Sequence, residues 1–276
     1  MKIKRILTIA GSDSGGGAGI QADLKTITVL GGFGMSVITA LTAQNTLGVI
    51  GIHEVPPEFI AEQFDAVATD IGVDAAKTGM LANAGIIRMV SEKIRHYSIR
   101  GLVVDPVMVA KGGMPLIHQD AMETLKKELI PLACVVTPNI PEAEVLSGIV
   151  IASKEDMKRA AHMILDLGPA NVVIKGGHLP GLAMDLLYDG KDFFELVTER
   201  IDTRDTHGTG CTYSAAIATM LAFGKTFPEA VQEAKAYITT AIRHGLRIGG
   251  GHGPTDHFAS VREELDRLRG LAKCNQ

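Results

Sequence analysis

The chain has 276 residues, 46% hydrophobic and 21% charged, with a net charge of −4 and no tryptophan. That composition suits a folded chain with a large core. It lacks the basic surface that tracks nucleic-acid phosphates and the aromatic platforms that stack bases. Cys134, Cys211 and Cys274 form no close pair, which excludes a disulfide framework and a four-thiolate zinc site and suits a reducing cytoplasm. The apolar run after the basic start MKIKR is too short for a secretory signal, and no run is long enough to span a bilayer. A cytoplasmic protein with no membrane or nucleic-acid partner is expected.

In chain order, RILTIAG (5–11) reads as a buried strand. GSDSGGGAGIQADLKT (11–26) follows, with glycines at 11, 15, 16, 17 and 19 before a helical pattern over 17–30. Those glycines suit either a close backbone approach to a ligand or a tight strand-to-helix turn. The stretch is not a P-loop, and Ala22 breaks a G-x-G-x-x-G pattern, which weighs against a dinucleotide-binding oxidoreductase.

Further apolar runs at 75–80, 101–107, 133–139 and 171–177 each end near Gly, Pro, Asn or Asp, and predict strands. Helical patterns at 57–70, 83–96, 117–130 and 153–167 separate them. This alternation predicts an α/β fold, a three-layer α/β/α sandwich on a mostly parallel sheet, as one domain over residues 1–276. Asp189-Gly190 between two apolar runs predicts an antiparallel hairpin over 182–198. Helices are then expected at 211–223, 227–247 and 257–270.

Chemistry concentrates at the strand ends, where open parallel sheets bind ligands. Asp105 in DPVMVAKGG and Asn139 and Glu142 in TPNIPEAEVL offer hard oxygen donors for Mg²⁺. Asp105-Pro106 equally reads as a turn, and Asn139 with Glu142 as a capping box. Lys175 ends the strand VIKGGH and suits a phosphate. In DTHGTGCTYSAAIA (205–218), glycines lead into a helix start, a nest for negative charge, including a phosphoryl group in flight. The same field is expected to lower the pKa of the Cys211 thiol. Cys134 reads as a packing residue, Cys274 as part of a fraying tail, and His252 and His257 as members of a flexible polar loop.

The six motifs GSDSGGGAGIQADLKT, TALTAQNTLGV, DPVMVAKGG, TPNIPEAE, VIKGGH and DTHGTGCTYSAAIA, in that order, resemble those of the hydroxymethylpyrimidine/phosphomethylpyrimidine kinases of thiamine biosynthesis. Those enzymes belong to the ribokinase-like superfamily. The resemblance runs from about residue 5 to 260. It implies ATP- and Mg²⁺-dependent phosphorylation of 4-amino-5-hydroxymethyl-2-methylpyrimidine, then of the monophosphate to the diphosphate, by a homodimer. It implies that Gln44 reads the aminopyrimidine edge, and that Gly11, Asp23, Met80 and Val107 line the pocket. Lys175, Asn139, Glu142 and Asp105 would serve the nucleotide and metal, with Asn139, Glu142 (through water) and Asp105 on Mg²⁺. Gly208, Thr209 and Gly210 would form the anion hole, and Cys211 would stand where sugar kinases of the superfamily carry an aspartate base. Ser14 departs from the proline of many relatives. A pyridoxine/pyridoxal kinase, or dual activity, remains the alternative. The 182–198 hairpin and the 107–115 loop are the candidate closing segments.

Overall fold

The computed structural model describes residues 3–110, 112–118, 120–177 and 183–269. Lys111, His178 and Leu182, the end of the last expected helix at residue 270, and Cys274 lie outside them.

Among these residues, nine strands form one sheet in the order β3-β2-β1-β4-β5-β6-β7-β8-β9. The strands are β1 (Arg5–Asp13), β2 (Phe33–Asn45), β3 (Gly48–Glu54), β4 (Ala75–Thr78), β5 (Leu102–Val104), β6 (Val135–Val136), β7 (Val172–Lys175), β8 (Ala183–Tyr188) and β9 (Phe193–Thr198). β2, β1, β4, β5, β6 and β7 run parallel, while β3, β8 and β9 add antiparallel pairs at the two ends. The fold is thus the expected α/β sandwich with a late hairpin.

Alternating side chains serve the two faces. Leu7, Ile9, Val104, Val136 and Ile174 pack on one side, beneath α2 (Pro57–Asp70), α3 (Ala84–His96), α5 (Ile140–Ser147) and α6 (Lys154–Leu165). Ile6, Val103, Val135, Val173 and Leu187 pack on the other, with Ile27 of α1 (Gly19–Val29) and the inner faces of α7 (Thr209–Ala222) and α8 (Phe227–Arg243). α7 is rich in alanine and almost wholly buried, so it lies directly on the sheet.

Four expectations change. Residues 33–54 form β2 and β3, which the apolar-run reading leaves unassigned. The pattern over 117–130 forms the short α4 (Ala121–Thr124), then a π turn at Leu125–Leu129 and a 3₁₀ turn at Ile130–Leu132. The hairpin around Asp189-Gly190 does not fold over the site: Leu186 and Leu187 of β8 are fully buried sheet residues. The segment from Gly253 to His257 is buried rather than a flexible polar loop. Finally, α9 (Ala259–Leu268) follows it, and among the described residues no helix is long and apolar enough to cross a membrane.

Candidate active site

The site is built at the carboxyl ends of the parallel strands. β1 ends in Asp13, whose carboxylate folds back over the glycine turn. It accepts from the backbone N–H groups of Gly15 (2.8 Å), Gly17 (3.0 Å) and Ala18 (2.8 Å). These amides are therefore spent within the turn. The early glycines serve the tight strand-to-helix turn and offer these N–H groups to no outside anion.

The second glycine turn is different. Gly208 precedes α7 with φ of +81°, and a Cβ there would lie 1.8 Å from Gly17 O. Only glycine meets both conditions, and it lets the two turns touch backbone to backbone. Thr209 Oγ1 donates to Thr206 O at 2.8 Å and firms the turn. Thr209 N donates to Thr206 O at 3.3 Å, and the N–H groups of Gly210 and Cys211 that follow lie at the positive end of the helix dipole. A Cβ on Gly210 would sit 3.4 Å from Lys175 Nζ and 3.5 Å from Asp105 Oδ2. The anion turn thus opens onto that ion pair.

Lys175 and Asp105 meet at 2.8 Å, both largely buried. Thr137 Oγ1 and Ser214 Oγ also donate to Asp105, each at 3.3 Å. Burial pushes the Asp105 carboxyl up, yet Lys175 and Lys77 bring it below its ordinary value. Lys175 ends β7 largely buried. Burial pushes its ammonium down, and Asp105 and Glu142 hold it above the ordinary value.

Asn139 Oδ1 accepts from Glu142 N at 2.9 Å and Glu142 Oε2 from Asn139 N at 2.8 Å, a complete capping box for α5. Glu142 is buried, and its carboxyl is pushed up to about 7, first by burial and then by Asp105. Asp105, Asn139 and Glu142, expected together on a metal, are each already engaged by protein partners. Among the described residues no group of three His, Cys, Asp or Glu side chains is arranged to hold a metal ion.

Asp23 also departs from expectation. It is fully buried beneath the site, where it accepts from Thr8 Oγ1 (2.6 Å) and pairs with the equally buried Lys77 (2.9 Å). It supports the pocket from below and presents no surface to it. Lys77 is pulled down by burial and raised by Asp23 beside it, with a net rise. Cys211 is partly buried above this pair. Its thiol is pushed up to about 11, against the lowering expected at a helix start. Burial is the largest cause and the Asp23 and Asp105 carboxylates add to it. Lys77 and the Gly19 N–H pull the other way and do not prevail.

Gln44, near the end of β2, lines a solvent-open cleft of about 250 Å³ with Val49, Ala110, Gly112, His207 and His252. Met80 and Gly11 are neighbours, since a Cβ on Gly11 would lie 3.2 Å from Met80 Sδ. Val107 lines a second recess of about 210 Å³ with Thr78, Gly79 and Asp105. His207 reaches Asp13 Oδ2 at 2.9 Å and contacts Gln44 Nε2 at 3.3 Å. His252 and His257 do not share a site: His252 Nδ1 faces Arg204 O, whereas His257 Nε2 meets Thr212 Oγ1 inside the fold.

Lys77, Asp13 and His207 escaped the sequence reading. A lysine inside the otherwise apolar run AAKTGM was a usable signal for the first, because an unpaired charge is not buried. The Asp13–His207 pair spans 194 positions and has no local signature.

A mostly parallel sheet with a helix start facing a lysine–aspartate pair is the arrangement of a phosphoryl-transferring enzyme. The model of the phosphomethylpyrimidine kinase family matches residues 13–256, and the chain belongs to that family. The hydroxymethylpyrimidine/phosphomethylpyrimidine kinase of Bacillus subtilis is 50% identical over 271 residues, covering 98% of this chain and all of that protein. The thiamine biosynthesis bifunctional protein ThiED of Geobacter sulfurreducens is 56% identical over 263 residues; these are 95% of this chain but 54% of that longer protein. The Staphylococcus aureus pyridoxal kinase solved with AMP-PCP and pyridoxal superposes with a TM-score of 0.87 at 41% identity, covering 95% of this chain and 96% of that one.

Proposed function

We propose that the chain uses ATP to phosphorylate hydroxymethylpyrimidine, and then its monophosphate to the diphosphate, in thiamine biosynthesis. The observation that carries this reading is the open start of α7 aimed at the Lys175–Asp105 pair, in a chain half identical to a kinase of that name along its whole length. A cytoplasmic homodimer is part of the same reading.

Phosphoryl transfer depends on placing the reactants and stabilising charge. In this reading Gln44 reads the ring, while Gly11, Met80 and Val107 wall it. Lys175 leaves part of its contact with Asp105 to meet the nucleotide phosphates. The turn of Gly208, Thr209 and Gly210, with the N–H groups of Gly210 and Cys211, holds the charge that builds on the moving phosphoryl group. The substrate hydroxyl oxygen bonds to the γ-phosphorus, the bond to ADP breaks, and the hydroxyl proton passes to Cys211 Sγ. With its thiol held up to about 11, Cys211 must shed its own proton before it takes the substrate's.

The donor set fits Mg²⁺ held mainly by nucleotide phosphates and water. Two ammonium groups, Lys77 and Lys175, face three carboxylates, Asp23, Asp105 and Glu142. Burial first, and then Asp105, keep the proton on Glu142 up to about 7, and a bound cation would favour its loss. Asp105 and Glu142 supply the one or two carboxylates that Mg²⁺ takes beside phosphates. Bound there, Mg²⁺ would neutralise phosphate charge.

Purified protein with ATP, Mg²⁺ and the pyrimidine alcohol is expected to yield the monophosphate and then the diphosphate by mass spectrometry. No ADP formation with the pyrimidine, or a higher kcat/KM for pyridoxal assayed in parallel, overturns the reading.

A further inference from the structure

Three polar side chains from distant parts of the chain meet at the rim of the Gln44 cleft. His207 Nε2 lies 2.9 Å from Asp13 Oδ2 and 3.3 Å from the Gln44 carboxamide nitrogen. Asp13 already accepts three backbone N–H groups. Burial raises its carboxyl, but the bonds from His207, Ala18 and Gly15 bring it below its ordinary value. Against an ionised carboxylate at this distance, the ring nitrogen has to be a donor. A protonated Nε2 cannot accept from a carboxamide N–H. It can share its proton with a carboxamide oxygen.

The opposite side of the carboxamide presents the same difficulty. Thr42 Oγ1 stands 2.9 Å from Ser12 O and 3.1 Å from Gln44 Oε1, one hydroxyl proton before two acceptors. Turning the Gln44 amide end for end exchanges groups of nearly equal size and resolves both conflicts. Thr42 then donates to Ser12 O and accepts from the Gln44 amino group. His207 donates to both Asp13 and the Gln44 carbonyl. The main chain here is already fixed, because Ser14 Oγ donates to Gln44 O (2.7 Å) and accepts from Gln44 N (2.8 Å). The backbone of His207 is pinned by Gly253 O and Thr255 N.

We propose that His207, anchored by Asp13, is a positioning residue that holds the Gln44 carbonyl toward the imidazole and its amino group toward Thr42, so that the site selects a ring with an amine beside a ring nitrogen. The carboxamide keeps one N–H for the ring nitrogen and one carbonyl lone pair for the amine. This rests on the proposed role of Gln44 in reading the ring.

Two measurements test it. Nitrogen NMR of the wild-type protein without ligand is expected to show His207 protonated at Nε2; a ring protonated at Nδ1 alone overturns the proposal. The second compares the aminopyrimidine with its oxo analogue, in which a carbonyl replaces the amine. His207→Leu is expected to cut the kcat/KM preference for the amine by about tenfold or more, the worth of one well-placed hydrogen bond. The KM for ATP should stay within about twofold, since no ATP contact is removed. An unchanged preference in the folded variant, or an equal rise in the KM for ATP, overturns it. Should His207→Leu fail to fold, the NMR result decides. Wild-type protein that phosphorylates neither ring refutes the kinase reading instead, and the proton on His207 is still read independently.

Discussion

The sulfur of Cys211 lies between opposed influences. The start of α7, Lys77 and the Gly19 N–H favour a thiolate, while burial and the Asp23 and Asp105 carboxylates oppose it and hold the thiol near 11. A group with that pKa is protonated at neutral pH, and its thiolate fraction grows about tenfold for each unit by which the pH rises toward 11. If Cys211 is the base, kcat rises with pH between 7 and 9, and Cys211→Ala lowers kcat at neutral pH by about 10² to 10⁴ with little change in ATP binding. The variant also loses the pH slope. Rate profiles of the two proteins check this. A slope that survives in Cys211→Ala assigns the proton to another group, and a variant as fast as wild type leaves the rate to the anion turn.

At the scale of elements, β4 and α1 are joined under the site by the Lys77–Asp23 pair, with both side chains fully buried. Removing one partner strands the other's charge in the core. Lys77→Met is therefore expected to lower unfolding free energy by about 3–5 kcal/mol, and Lys77→Met with Asp23→Leu to recover much of that loss. Urea unfolding of the single and double variants measures the coupling; equal destabilisation by both would show that the pair carries no special term. β1, β4, β5, β6 and β7 were legible because each lies in a short apolar run that ends near Gly, Pro, Asn or Asp. β2 and β3 were not: their exposed edge mixes Thr, Ser, Gly and Gln with Val and Ile, and Asn45-Thr46-Leu47-Gly48 is no two-residue hairpin signal. Asp105, Asn139 and Lys175 at the strand ends, and Glu142 and Cys211 at the helix starts that follow, were legible from the same punctuation of the sequence. Their partners were not, because whether Asn139 caps a helix or binds a cation is settled by neighbours that only the folded chain supplies.

Across the whole molecule, the Gln44 cleft and the anion turn come from opposite ends of the chain, and a late segment stitches them together. Gly251 N donates to Thr46 Oγ1, His252 N donates to Thr46 O, and His207 N donates to Gly253 O. A single run of residues therefore holds the β2–β3 hairpin against the turn before α7. The contact is close: a Cβ on Gly251 would lie 2.0 Å from Thr46 O and 2.9 Å from Leu47 N. Any side chain there has to push the hairpin away from the turn, and Gln44 moves with the hairpin. The sheet core is built from other residues and should survive. Gly251→Leu is accordingly expected to keep its far-ultraviolet circular dichroism while the KM for the pyrimidine rises by about tenfold or more, since a misplacement of about 1 Å is enough to forfeit an oriented contact. The KM for ATP should move less, because Lys175 stands at the end of β7 and is held by the sheet and by Asp105. Steady-state kinetics with each substrate varied in turn separates the two. An unchanged pyrimidine KM would mean that the hairpin keeps its place without the stitch, with β2 held by its pairing to β1 alone.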